Sequence, residues 1–239
     1  QVAHAAYLGV GAYTAAILTS RLEWGFLPAV LAAGVVSAVL SLLVSVPSFR
    51  LRGDAFVMTS LAVQVGLFAI MHNWTALTGG PFGISSIPKP DVAGIRFATS
   101  GSVAALYGLI TLGLGLILAV LKLSPFGRAL QAMRDDWLAA RSLGIATRKL
   151  KMEAFAVASA FVGIAGAMYG AYVTYIDPTT FSLDEGILML SMVIIGGTGN
   201  VVGPIVGATL LITIPEMLRF MDISSASAAS LRLLAYGLL

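Results

Sequence analysis

The chain has 239 residues, 58% of them hydrophobic and 10% charged, with a net charge of +3, a mean hydropathy of +0.94 and no cysteine. A soluble domain carries about 25% charged residues, so this chain cannot cover a water-facing surface, and the bilayer is its expected solvent. The missing cysteines exclude a disulfide framework and thiolate metal sites, and the only two histidines, His4 and His72, stand far apart, so no metal site is expected.

Five apolar stretches are long enough, or nearly so, to cross about 30 Å of hydrocarbon as helix. They are His4–Ser20, Trp24–Val46, Ala55–His72, Ser102–Leu121 and Met152–Tyr175. Two shorter pieces follow, Gly186–Ile195 and Val201–Leu218, and a last one begins near Ala228. Helix is the economical solution, because every unpaired backbone group in lipid is costly, and the alternation of a β-barrel is absent. The expected fold is therefore all-α, a polytopic transmembrane helical bundle forming one domain over residues 1–239. The chain opens and stops inside apolar stretches, which reads as a piece of a longer protein.

The positive charges report orientation rather than nucleic-acid binding. Arg50, Arg52 and Lys122, with Arg128, Arg134, Arg141, Arg148, Lys149 and Lys151 in the segment 123–151, make up nine of the fourteen Lys/Arg. Both regions are expected on the cytoplasmic side. The Pro/Gly-rich loop Asn73–Gly101 and the acidic loop around Asp177, Asp184 and Glu185 are expected outside.

Within the basic segment, Ser124–Pro125 reads as a helix start, with Ser as cap and Pro at the first helical position. Phe126, Leu130, Met133, Trp137, Ala140 and Leu143 recur at helical spacing, an amphipathic stripe. Gly144 stands where a left-handed cap would end the helix. One helix is thus expected to cross the cytoplasmic face. It either lies on the lipid headgroups or docks a soluble partner; Asp135 and Asp136 favour docking, since anionic lipid repels them.

"GRALQAMRDDWLAARSLGI", Gly127 to Ile145, resembles the cytoplasmic motif of ABC-importer permeases. "HAAYLGVGAYTAAIL", "NWTALTGGPFGI", "FAVASAFVGIAGAMYGAY" and "VIIGGTGNVVGPIVGA" extend the resemblance, in order, to the permeases for branched-chain amino acids, of the type designated M. Urea and short-chain amide permeases are similar. The resemblance implies a membrane-spanning subunit in the bacterial cytoplasmic membrane, passing branched-chain or other apolar amino acids. Its implied partners are a second permease subunit, two cytoplasmic ATPase subunits and a periplasmic solute-binding protein. Asp135, Asp136, Ala139, Ala140 and Gly144 would form the coupling helix against the ATPase. No Gly-x-x-x-x-Gly-Lys-Ser/Thr occurs, so ATP and Mg are expected on the partners, with no cofactor on this chain and no enzyme activity of its own.

Two further groups stand out. Gln64, mid-span in "SLAVQVGLFAI", could bond a neighbouring helix or line the translocation path, with Thr59 near its face. The run "IIGGTGNVVGPIVGA", Ile194 to Ala208, is expected to be a tight break between two short membrane helices. Gly196, Gly197 and Gly199 would allow the turn. Gly199, Gly203 and Gly207 would offer a smooth face for packing within the bundle or against the partner permease. Broken helices also occur in stand-alone secondary transporters, the rival class. A membrane enzyme is unsupported, because no nucleophile–base pattern falls on one segment.

Overall fold

The computed structural model describes residues 2–48, 54–92, 94–97, 99–199 and 202–220. The turn with Arg50 and Arg52 and the apolar segment near Ala228 lie outside the described residues. The chain divides into two compact units, Gln1–Gly186 and Ile187–Leu239.

The first unit begins with α1 (His4–Arg21), α2 (Phe26–Ser48) and α3 (Asp54–Asn73). A short α4 (Thr75–Thr78), a 3-10 turn (Gly80–Phe82) and the short strands β1 (Ile84–Ser85), β2 (Asp91–Val92) and β3 (Ile95–Arg96) follow, the last two paired with each other. Then come α5 (Ser100–Leu123), α6 (Pro125–Asp135), α7 (Trp137–Ser142), α8 (Thr147–Val173), β4 (Tyr175–Ile176) and a second 3-10 turn (Pro178–Phe181). Helix α9 (Leu183–Gly196) starts in this unit and continues into the second, which also holds α10 (Val202–Phe220). Among the described residues four helices, α2, α3, α5 and α8, are long and apolar enough to cross a membrane. The architecture is the expected all-α polytopic bundle.

Helices α1, α2 and α8 form the core, and small residues let them approach closely. Ala12, Ala15, Ala29, Ala33, Ala167 and Ala171 are all buried where they meet. A side chain at Gly11 would collide with the backbone of Gly163, and one at Gly163 with Ser37. One at Gly166 would collide with the Leu8 carbonyl. In lipid, where tails are as apolar as leucine, such close approach supplies the packing that burial supplies in water. Helix α5 joins through Leu106, Tyr107 and Ile110; the Tyr107 hydroxyl donates to the Met168 carbonyl at 2.8 Å.

The first apolar stretch does form a helix, but α1 begins beside the middle of α3 rather than at a membrane face. The Ala6 N–H donates to Gln64 Oε1 at 2.8 Å and the Val2 N–H to Ser60 Oγ at 3.3 Å. Helix α1 has no side-chain cap of its own, so α3 supplies acceptors for amides that would otherwise be orphaned. Gln64 is 0% exposed, and its Nε2 donates to the Phe181 carbonyl at 2.9 Å. Gln64→Leu leaves both groups unpaired in apolar surroundings, and a loss on the order of 3 kcal/mol is expected. A clear drop in the thermal unfolding temperature of the detergent-solubilised protein checks this; an unchanged midpoint would contradict it.

The acidic connection between α8 and α9 departs from expectation. Its first part stays at the far end of the spans: β4 pairs antiparallel with β1, Ile176 opposite Ile84. Asp177 accepts from the Thr180 N–H at 3.2 Å and the Thr179 hydroxyl at 2.7 Å. Burial raises its pKa, but these bonds outweigh that and hold it below the usual carboxylate value. The chain then turns inward. Phe181 is 0% exposed, its ring 6.1 Å from Tyr13 and 6.3 Å from Tyr169. Gly9 makes room, since a Cβ there would lie 2.9 Å from both the Phe181 ring and Met71 Sδ. The Phe181 carbonyl therefore meets the middle of α3 while its ring packs with Met71, Ile84 and Ile176, and Asp184 and Glu185 stand in the first turn of α9 rather than in a loop.

Candidate coupling segment

The segment 123–151 is built from short local rules. At the end of α5, Ser124 takes an extended conformation and its Oγ accepts from the Gly127 N–H at 3.3 Å, with Pro125 opening α6. This is the expected cap. Gly127 is buried, and a Cβ there would collide with the carbonyl oxygens of Leu121 and Lys122. Arg128 Nη1 donates to the Leu123 carbonyl at 2.7 Å, satisfying one orphan acceptor of α5. Together these fold α6 back tightly on α5.

The expected single helix is two. Asp136 has φ −150° and ψ 106°, which ends α6; its Oδ1 accepts from the N–H groups of Leu138 at 2.8 Å and Ala139 at 3.0 Å, which starts α7. An Asp side chain competes with helix continuation by offering the backbone this alternative. The break resets the stripe. Phe126, Leu130, Met133 and Trp137 are half-buried and Ala140 is 2% exposed, but Leu143 is 82% exposed.

Gly144 ends α7 at φ +84°. Its N–H donates to the Arg141 carbonyl and that of Ile145 to the Ala140 carbonyl, both at 3.1 Å. This is a Schellman closure with glycine at its left-handed position. The structure thus brings Asp136 and Ala139 together through a cap bond, and Ala140 and Gly144 through the closing turn. Asp135 stays exposed, 3.4 Å from Arg134 in an ion pair of little energetic weight. Ala139, Leu138 and Leu143 face outward, whereas Ala140 faces inward. The exposure of Leu138 and Leu143 was hidden by the assumption of one continuous helix. The role of Gly127 was signalled by its place just after Ser-Pro.

Cap and charge are separable at Asp136. In the importer that the sequence resemblance implies, Asp136→Ala is expected to cost about 1 kcal/mol locally and to impair transport, whereas Asp136→Asn, which keeps the cap, is expected to preserve it. Equal loss of uptake in both variants would show that the charge matters instead.

The other candidate residues lie elsewhere. Thr59 is half-buried and donates to the Ala55 carbonyl at 2.8 Å on its own helix. In the second unit, α9 and α10 are separate helices, with Gly197 at φ +90° and Gly199 at φ +87° between them. Asn200 and Val201 lie outside the described residues. A Cβ at Gly196 would lie 2.9 Å from Pro204 N, one at Gly203 2.8 Å from the Gly197 carbonyl, and one at Gly207 2.9 Å from Gly196 N. These glycines therefore knit α9 to α10 within this chain.

The family model described as "Branched-chain amino acid transport system / permease component" matches residues 1–239. The chain belongs to this family. It is 33% identical over 237 residues to the high-affinity branched-chain amino acid transport system permease protein LivM of Salmonella typhimurium, covering 89% of this chain and 56% of that protein. The same values hold for LivM of Escherichia coli. A probable LivM of Methanocaldococcus jannaschii is 27% identical over 195 residues, 80% of this chain and 55% of its own length. The chain thus spans about half the length of these relatives. No solved structure matches it. As a member of the permease family with four apolar helices of spanning length among the described residues, the chain is a multi-pass membrane protein.

Proposed function

We propose that this chain is the membrane-spanning part of an ATP-driven importer for branched-chain or other apolar amino acids, in the bacterial cytoplasmic membrane. The observation that carries the reading is the pairing of the family match over the whole chain with the build of α6 and α7. A capped, doubly terminated pair of short helices on the basic side offers exposed Asp135, Leu138, Ala139 and Leu143 to a soluble partner. In this reading two ATPase subunits dock there, carrying ATP and Mg. A second permease lies alongside, and a periplasmic binding protein delivers the solute. ATP binding favours one of two membrane states through differential contact at the coupling segment. Asp136 and Gly144 act by holding the segment's shape, while Thr59 and Gln64 belong to the helix beside the path. The glycine turn at Gly196–Gly199 ends α9 and separates it from α10.

Reconstitution of the complete importer in proteoliposomes tests this. ATP-dependent uptake of leucine is expected only when the ATPases, both permeases and the loaded binding protein are present. Uptake of urea or a short amide but not leucine would replace the solute, and uptake by this chain alone would replace the class.

A further inference from the structure

The β1–β4 pair carries uncommon backbone at one end. Ser86 directly follows β1 and Thr174 directly precedes β4, and both are left-handed, at φ +59° and φ +62°. They stand side by side: Ser85 is opposite Tyr175, and the Ile87 N–H donates to the Thr174 carbonyl at 3.1 Å. Such backbone is uncommon for serine and an outlier for β-branched threonine. It persists only where the surroundings hold it, and it clusters at segments that switch. At the other end, a Cβ at Gly83 would collide with the Ile176 carbonyl, and the Tyr175 hydroxyl donates to the Phe82 carbonyl at 3.2 Å. The turn Gly80–Phe82, β1 and β4 are thus one small body tied by its own bonds. It follows the last residue of α8, whose 27 residues put it about 40 Å from the coupling segment. Beneath it, Ile84, Ile87 and Ile176 are buried against Ala12, Tyr13 and Ala16 of α1 and Met71 of α3. Within that apolar contact the Tyr13 hydroxyl is buried and has no partner among the described residues. A buried phenol usually finds one. Apolar burial therefore holds the body down, while an orphaned hydroxyl and two strained residues oppose it at the same place.

We propose that the β1–β4 pair with its 3-10 turn is a lid on the far end of the helix core, closed in this structure, that lifts during the transport cycle; this rests on the importer reading above. Lifting uncovers Ile84, Ile87 and Ile176. It also frees Ser86 and Thr174 from left-handed backbone and lets the Tyr13 hydroxyl reach water. These gains offset part of the lost apolar burial, which brings the two states close enough in free energy for a partner to choose between them. Gly79 and Gly80, at φ +79° and φ +58°, give the chain its freedom where the lid joins α4. Phe181 stays with the helices, because its carbonyl is bonded to Gln64.

The absence of cysteine makes the test direct. Ile176→Cys, under the lid, and Ala167→Cys, buried in the helix core as a reference, are each placed in the assembled importer in proteoliposomes. Both are treated with a charged, membrane-impermeant thiol reagent. Ile176→Cys is expected to label several-fold faster than the reference while ATP and loaded binding protein are supplied, and as slowly as the reference without them. Labelling at the reference rate in both conditions, or equally fast in both, would overturn a lid that lifts with the cycle. Tyr13→Phe and Thr174→Gly provide a second reading that needs no cysteine. Each removes a cost present only when the lid is closed. Each is therefore expected to raise the unfolding midpoint in detergent by about 2–4 °C and to lower uptake several-fold at equal membrane levels. A raised midpoint with unchanged uptake would show that the lid need not lift, and an unchanged or lowered midpoint would remove the opposing terms; either overturns the proposal. Labelling is independent of which solute the wild type carries, so failure here and failure of the amino-acid reading are distinguishable.

Discussion

Gly166→Ala is expected to prevent accumulation of folded protein in the membrane, while Gly170→Ala, one turn away on the same helix, is tolerated. The difference is geometric. A Cβ at Gly166 would collide with the Leu8 carbonyl and lie 3.0 Å from Ala12 N, so α1 and α8 would have to part. A Cβ at Gly170 would meet Ile176 Cγ2 at 3.5 Å and Ala12 at 3.8 Å, ordinary contact. Overpacking against backbone costs about 3 kcal/mol at the upper end of the usual range, and backbone atoms have no rotamer by which to yield. Removing a helical glycine where there is room gains about 0.5–1 kcal/mol, so the Gly170 variant should be neutral or slightly stabilised. Membrane-fraction yield and thermal unfolding in detergent check both; equal behaviour of the two variants would refute the close approach.

In the proposed importer, Gly144→Val should separate ATP hydrolysis from transport. Gly144 holds φ +84°, yet a Cβ there would meet nothing within 4 Å. The penalty is therefore conformational and not steric: a left-handed backbone costs an L-residue about 1–2 kcal/mol, and a β-branched side chain fares worst. Relief of that strain would open the closing bonds to Arg141 and Ala140 and turn α7 away from the start of α8. Insertion is expected to be normal, ATPase activity of the importer retained and solute uptake strongly reduced. Gly144→Asn, which enters the left-handed region more readily, should keep much of the uptake. Normal coupled uptake in the valine variant would sink the coupling assignment.

Much of this protein was legible in one dimension. The shortage of charge made a bilayer necessary, and the length of the apolar runs made helices of spanning size. Ser124–Pro125, Gly144 and the run Ile194–Ala208 announced helix ends because capping and left-handed turns depend on the residue at one position and its near neighbours. The glycine spacing announced close packing but not with whom; the structure shows Gly163 and Gly166 against α1 and α2, and Gly203 and Gly207 against α9, all within the chain. Asp136 was ambiguous locally, since an Asp can sit within a helix or start one, and the structure chose the start.

What only the tertiary structure decided are the links between distant residues. Gln64 ties Ala6, 58 residues before it, to Phe181, 117 residues after it. Neither hydrophobic periodicity nor the charge of a loop carries information about such a pair. Composition could count Asp184 and Glu185 as loop residues, because acids usually lie in water. Their place in the first turn of α9 was decided by a ring that fits beside Gly9 and an amide that satisfies two backbone groups at once, which hold the preceding turn against the middle of α3.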